Sequence, residues 1–291
     1  MPRRALRRAL AAMATAVSAV AVGLAAPAAH AAEPLSYVAL GDSYSAGSGV
    51  LPVDPRAPLL CLRSTLNYPN VIAGRTGAAL TDVTCGGART KDFSAAQYPG
   101  VPPQLDAVGS ATGLVTLTIG GNDNNTFIGA LLACGTAGLA TGGQGSPCKT
   151  LYGGTFEDRI EDSTYPAVKA ALHKIRAKAP AARVAVLGYP WILPPTADPS
   201  CYARMPIASG DVPYLRGIQA RLNAVIARAA HETGTTYVDF SRTSEGHDAC
   251  RAAGTRWVEP LLFGTNVVPV HPNALGERRM AEQTLTALGL G

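Results

Sequence analysis

Tyr37-Val38-Ala39-Leu40-Gly41-Asp42-Ser43-Tyr44-Ser45-Ala46-Gly47 is the stretch on which the fold turns. Four apolar residues without polar alternation read as a short strand buried on both faces, as in a parallel sheet. Gly41-Asp42-Ser43 breaks that strand sharply. Asp and Ser are residues that cap helices, so a helix is expected to start where the strand stops. The serine hydroxyl then stands at the C-terminal end of a strand and the N-terminal end of a helix.

The pattern repeats outward from there. Strands are expected at residues 80–84, 114–119, 184–187 and 236–240, and helical periodicity at 167–178, 214–232 and 274–288. Strands alternating with helices predict an α/β fold, a mostly parallel five-stranded sheet covered by helices on both faces. Right-handed crossovers gather the loops after the strands along one edge, where ligands bind in such sheets. Two longer segments interrupt the alternation. The glycine-rich stretch at 135–154, with Cys134 just before it and Cys148 near its end, reads as a stapled surface loop, and residues 190–213 as a second long loop on the active edge.

The chain begins with Arg3, Arg4, Arg7 and Arg8, followed by an alanine- and valine-rich run and Ala29-His30-Ala31. This is the pattern of a signal peptide cleaved after Ala31, with residues 32–291 as a single secreted, extracellular domain. The run is short and Ala-rich for a membrane anchor. Of 25 Lys and Arg, four lie in this leader, leaving 21 against 20 Asp and Glu. The mature charge of about +1 excludes the basic stripe of a nucleic-acid binder. Cys61, Cys85, Cys134, Cys148, Cys201 and Cys250 are even in number and scattered without CxxC spacing, which favours disulfides over a metal site.

What ends each strand is where chemistry is sought. Ser43 reads either as a helix cap or as an exposed nucleophile with a backbone N–H beside it. Cys85-Gly86-Gly87-Ala88-Arg89-Thr90 reads as a turn or as an N–H brought close to substrate because no side chain intervenes. Asn122, in Gly120-Gly121-Asn122-Asp123, reads as a turn residue or as an amide donor to a developing oxyanion. Among five histidines, His30 falls in the leader and His173 and His231 in helical patterns. His247 and His271 remain, and His271 in Val270-His271-Pro272-Asn273 stands just before the last helix.

GDSYSAG at 41–47, CGGART at 85–90, GGND at 120–123 and VHPN at 270–273, in this order, resemble the blocks of the SGNH/GDSL hydrolase family, especially the secreted lipases and esterases of actinobacteria of the Streptomyces type. The resemblance spans almost all of the mature chain. It implies a three-layer α/β/α sandwich with a flavodoxin-like parallel sheet, Ser43 as nucleophile and His271 as general acid/base. It also implies an oxyanion hole from the N–H of Ser43, the N–H of Gly87 (Gly86 being its neighbouring alternative) and the amide of Asn122. Similar lipases pair their cysteines sequentially, implying Cys61–Cys85, Cys134–Cys148 and Cys201–Cys250.

One departure stands out. The family commonly places an acid three residues before the histidine, where this chain has Val268. The backbone carbonyl of Val268 is then the first candidate to accept from the imidazole, with Asp248 and Glu259 as side-chain alternatives. The implied activity is hydrolysis of fatty-acyl esters, triacylglycerols and related carboxylic esters, through a Ser–His acyl-enzyme, with no metal or organic cofactor. Ile128, Leu131 and Leu132, and Trp191, Ile192 and Leu193, are expected to line an acyl groove. A phospholipase A or a carbohydrate deacetylase on the same fold is the alternative, and a non-catalytic lipid- or sugar-binding protein a more distant one. The partner is a small-molecule or lipid ester met by a monomer, with transient contact to a lipid interface.

Overall fold

β1 (Ser36–Gly41) is an inner strand of the sheet, with Tyr37 to Leu40 at most 2% exposed. Its neighbours are β2 (Ala79–Asp82) and β3 (Leu114–Thr118), and β4 (Arg183–Leu187) and β5 (Thr236–Val238) follow beyond β3. All pairs are parallel and the order is β2-β1-β3-β4-β5. Tyr37 is in register with Leu80 on one side and Leu114 on the other. The apolar runs therefore mark the inner strands, while the edge strand β2 alternates between exposed and half-buried residues.

The computed structural model describes residues 33–291, so the leader expected at 1–31 lies outside the described residues. Eight α-helices occur among those residues: α1 (Ser43–Ala46), α2 (Tyr68–Thr76), α3 (Phe127–Ala140), α4 (Pro147–Tyr152), α5 (Thr155–Arg159), α6 (Tyr165–Lys178), α7 (Asp211–Glu232) and α8 (Ala274–Leu288). They group into two sets, α2 with α8, and α3 to α6 with α7, which cover the sheet as the alternating pattern requires. None is long and apolar enough to cross a membrane.

Strand ends follow local chemistry. β2 and β5 stop earlier than periodicity predicts because an aspartate ends each, Asp82 as the last paired residue of β2 and Asp239 as the first residue beyond β5. Asp82 accepts from the N–H and hydroxyl of Thr84, and Asp239 accepts from the N–H and hydroxyl of Ser241. Such Asx turns compete with the ladder.

The segment at 135–154 corrects the sequence reading. Instead of a loop, α3 continues to Ala140 and α4 begins at Pro147, with the Cys134–Cys148 disulfide joining them. Gly138 is helical for a packing reason. A Cβ there would collide with the Pro206 carbonyl and come within 2.8 Å of the Ala208 nitrogen and 3.1 Å of the Ile207 Cα. Glycine thus marks a close approach between α3 and the loop before α7 rather than a turn. The other two disulfides are Cys61–Cys85 and Cys201–Cys250.

Candidate active site

Ser43 is the first residue of α1, directly after the end of β1. Gly41 makes that turn with φ +120°, and a side chain there would strike the Thr118 carbonyl and the Ser45 hydroxyl. Gln104 clamps the same residue, accepting from the Gly41 N–H at 2.7 Å and donating to its carbonyl at 3.0 Å. Asp42 caps α1 by accepting from the Tyr44 N–H. Its carboxylate also accepts from the Thr118 hydroxyl at 2.6 Å and the Tyr189 hydroxyl at 2.5 Å. Burial pushes the Asp42 carboxyl up to about 6, although all three hydrogen bonds favour its ionised form.

His271 reaches this turn from the other end of the chain. Its Nε2 lies 2.7 Å from the Ser43 hydroxyl, and both residues are buried, at 8% exposure each. The Nδ1–H donates at 2.7 Å to the carbonyl of Pro269, which leaves Nε2 as the acceptor for the serine proton. The expected partner, the carbonyl of Val268, is therefore corrected by one residue. Val270 has φ +60°, and this left-handed turn accompanies a return of the chain that aims the Pro269 carbonyl at the ring two residues on. Val268 instead contributes its side chain to the neighbouring cleft.

The corner carrying His271 is held on all sides. Val258 and Pro272 form an antiparallel bridge, the Glu259 N–H donates to the His271 carbonyl, and Asn273 caps α8 through the N–H groups of Leu275 and Gly276. Tyr44 adds a direct link, donating its hydroxyl to the Val270 carbonyl at 2.7 Å and packing its ring 5.2 Å from the imidazole. Burial holds the imidazole below its ordinary value of 6.5, opposed only by the Pro269 carbonyl.

The remaining candidates separate clearly. The Gly86 N–H is engaged by the Cys61 carbonyl and the Ala88 N–H by that of Cys85, whereas those of Gly87 and Ser43 have no acceptor among the described residues. The Asn122 amide donates to the Ala88 carbonyl at 3.1 Å, which orients it toward the Gly86-Gly87 turn and leaves its second N–H free. His247 is stacked on Trp257 and bonded to the Thr255 carbonyl, and lines a different surface cavity from His271. Asp248 serves Cys250 and Arg251, and Glu259 serves Arg256, Asn273 and Thr265. Neither carboxylate bonds to the imidazole.

An apolar cleft of about 220 Å³ opens beside His271, lined by Ile128, Leu131 and Leu132 of α3 together with Leu261 and Val268. The other expected trio does not join it. Trp191 lies under the Arg216 guanidinium, 3.9 Å from its ring centre, Ile192 is fully buried, and Leu193 faces a second cavity. Sequence reasoning missed Gln104, Tyr44 and Tyr189. Tyr189 follows β4 and accepts from the Gly121 N–H while donating to Asp42, tying the Gly-Gly-Asn loop to the serine turn. No sequence signal distinguishes such a tyrosine from a core residue. A buried serine hydroxyl facing an imidazole nitrogen, with its own N–H unengaged and an apolar cleft beside the imidazole, is equipped for acyl transfer.

A model of the GDSL-like lipase/acylhydrolase family matches residues 39–279. The chain is 72% identical over 254 residues to Lipase 2 of Streptomyces coelicolor, covering 87% of this chain and 86% of that protein. The crystal structure of phospholipase A1 from Streptomyces albidoflavus NA297 is similar with a TM-score of 0.71 at 30% identity, covering 88% and 99% of the two chains. That of the extracellular lipase from Streptomyces rimosus is similar with a TM-score of 0.68 at 31% identity, covering 87% and 98%.

Proposed function

The chain belongs to the GDSL-like lipase/acylhydrolase family and is a carboxylic ester hydrolase, and from that premise we propose that it cleaves fatty-acyl esters through a Ser43–His271 dyad. The 2.7 Å contact between the Ser43 hydroxyl and His271 Nε2 carries this reading. His271 takes the serine proton as the hydroxyl attacks the ester carbonyl, forming a tetrahedral oxyanion. The N–H groups of Ser43 and Gly87 and the Asn122 amide receive that charge. The imidazolium returns its proton to the departing alcohol, and water activated by the same ring releases the acid. The Pro269 carbonyl keeps the tautomer in which Nε2 accepts, a role commonly taken by a carboxylate. A neutral acceptor orients the ring but stabilises the imidazolium less than a carboxylate would.

The apolar cleft beside His271 supports an acyl chain as the group bound. Leu132, Leu262, Phe263 and Val267 near that cleft are 42–81% exposed, which favours transient contact with a lipid surface. Triacylglycerols and simple carboxylic esters are the main reading. The structural likeness to a phospholipase A1 favours a phospholipid as the alternative substrate. Residues 32–291 are read as one exported domain, a reading supported by three disulfides and by the likeness to an extracellular lipase.

Ser43→Ala tests the mechanism. Ester turnover is expected to fall at least about a thousandfold with the fold retained, and a serine-directed phosphonate to label Ser43 in the parent alone. Near-parental turnover by a folded Ser43→Ala protein would refute the dyad.

A further inference from the structure

Two cavities share one wall. Met205 and Ile207 line the cleft of about 220 Å³ beside His271, and the same two side chains line a second cavity of about 350 Å³. The second lies between the turn after α3 and the loop after β4, with Leu193, Val212 and Tyr202 among its lining and polar groups from Gln144 and Asp198. Ligand sites usually enclose ~300–1,000 Å³. The cleft alone falls short of that range, and the space beyond the wall brings it inside.

The backbone of this wall is fixed, and its covering between the two cavities is made of side chains, one of them a methionine. The Met205 N–H donates to the Cys201 carbonyl at 2.8 Å, and Cys201 is tied to Cys250. Residues 206–208 press on α3 at Gly138, where not even a methyl group fits. The side chains of Met205 and Ile207 are buried, but methionine is unbranched and adapts its shape at low cost. Its sulfur has one polar tether, the Leu261 N–H at 3.1 Å.

We propose that the second cavity is the terminal subsite for long, unbranched acyl chains, and that Met205 and Ile207 form the side-chain gate setting chain-length preference. The proposal rests on the acyl-ester reading above. Short chains end in the apolar cleft, whereas longer ones displace the gate and bury their distal methylenes beyond it.

The test is the ratio of kcat/KM for p-nitrophenyl hexadecanoate to that for the butanoate, in one fixed detergent. Met205→Ala and Ile207→Ala are each expected to raise this ratio about tenfold over the parent, the gain from burying roughly two further methylenes. Ala197→Trp, which fills the second cavity, is expected to cancel the gain when added to Met205→Ala. Val212→Phe serves the same purpose should that protein not fold. An unchanged ratio in truncated variants that still bind a phosphonate at Ser43 would overturn the gate. A raised ratio insensitive to filling would overturn the second subsite. Loss of the underlying ester reading shows differently, as parental protein without ester turnover or as turnover surviving Ser43→Ala.

Discussion

The Tyr44 hydroxyl donates a 2.7 Å hydrogen bond to the carbonyl of Val270, joining the residue after Ser43 to the residue before His271 across 226 positions of chain. Val270 is a buried β-branched residue at φ +60°, a conformation that persists only where its surroundings over-determine it. Tyr44 also packs edge-on against Tyr189, whose hydroxyl meets Asp42. Serine turn, imidazole corner and Gly-Gly-Asn loop are thus braced through two tyrosines.

Tyr44→Phe removes the brace and keeps the ring. An unpartnered buried carbonyl costs ~1–3 kcal/mol, which is expected to appear partly as a lower Tm and partly as an imidazole less well aimed. The kinetic expectation is a fall in kcat of about tenfold with KM within about twofold. Unaltered kcat in the phenylalanine variant would mean that the corner holds itself.

In the proposed dyad the base is neutral His271, and burial lowers its affinity for a proton. A depressed value leaves the base free at lower pH, so the acid limb of kcat/KM should lie below the 6.5 of an ordinary imidazole. The same shift sets a stability term that is fully present above 6.5 and lost as pH falls through the lower folded-state value. A pH–rate profile with its limb above 6.5 would contradict the burial account.

Asn122→Ala deletes the side-chain amide proposed as an oxyanion donor and removes no atom of the Ser43–His271 contact. Loss of one such donor removes about 3–4 kcal/mol of transition-state stabilisation, or ~100- to 1,000-fold in kcat. Phosphonate labelling of Ser43, followed by mass spectrometry, should persist at a reduced rate. A fall of less than about fivefold would remove Asn122 from the oxyanion hole.

Two glycines in helices make opposite predictions. Gly217 is exposed in α7 with nothing within 4 Å of a would-be Cβ, so Gly217→Ala should stabilise by ~0.5–1 kcal/mol through helix propensity. Gly138→Ala gains the same propensity but drives a methyl group into the Pro206–Ala208 backbone. Overpacking of ~1–3 kcal/mol outweighs the gain, so it should lower Tm. Equal effects in thermal unfolding would show that the backbone beside Gly138 yields freely.

Much of this protein was legible in one dimension. Short runs such as 37–40 and 114–119, rich in apolar and β-branched residues and closed by glycine, read as strands buried on both faces, and alternation with helical periods then admits few topologies besides a parallel sheet with its loops on one edge. Ser43, Asn122 and His271 stood out as candidates because strand ends and helix starts carry local signatures in glycine, aspartate and asparagine, and because the four motifs that hold them occur in one order along the chain. Tertiary structure alone decided the rest. Glycines at 135 and 138 look like a loop until the Pro206 carbonyl is seen against α3. The acceptor for His271 shifts from Val268 to Pro269 because the left-handed turn at Val270 is imposed from outside, by contacts such as that of Tyr44. Gln104 and Tyr189 carry no local mark at all, since a side chain that braces a distant backbone is chosen by distance in space. Periodicity and turn chemistry are properties of neighbours in the chain, whereas the aim of a hydrogen bond between residues 44 and 270 exists only once the chain has closed.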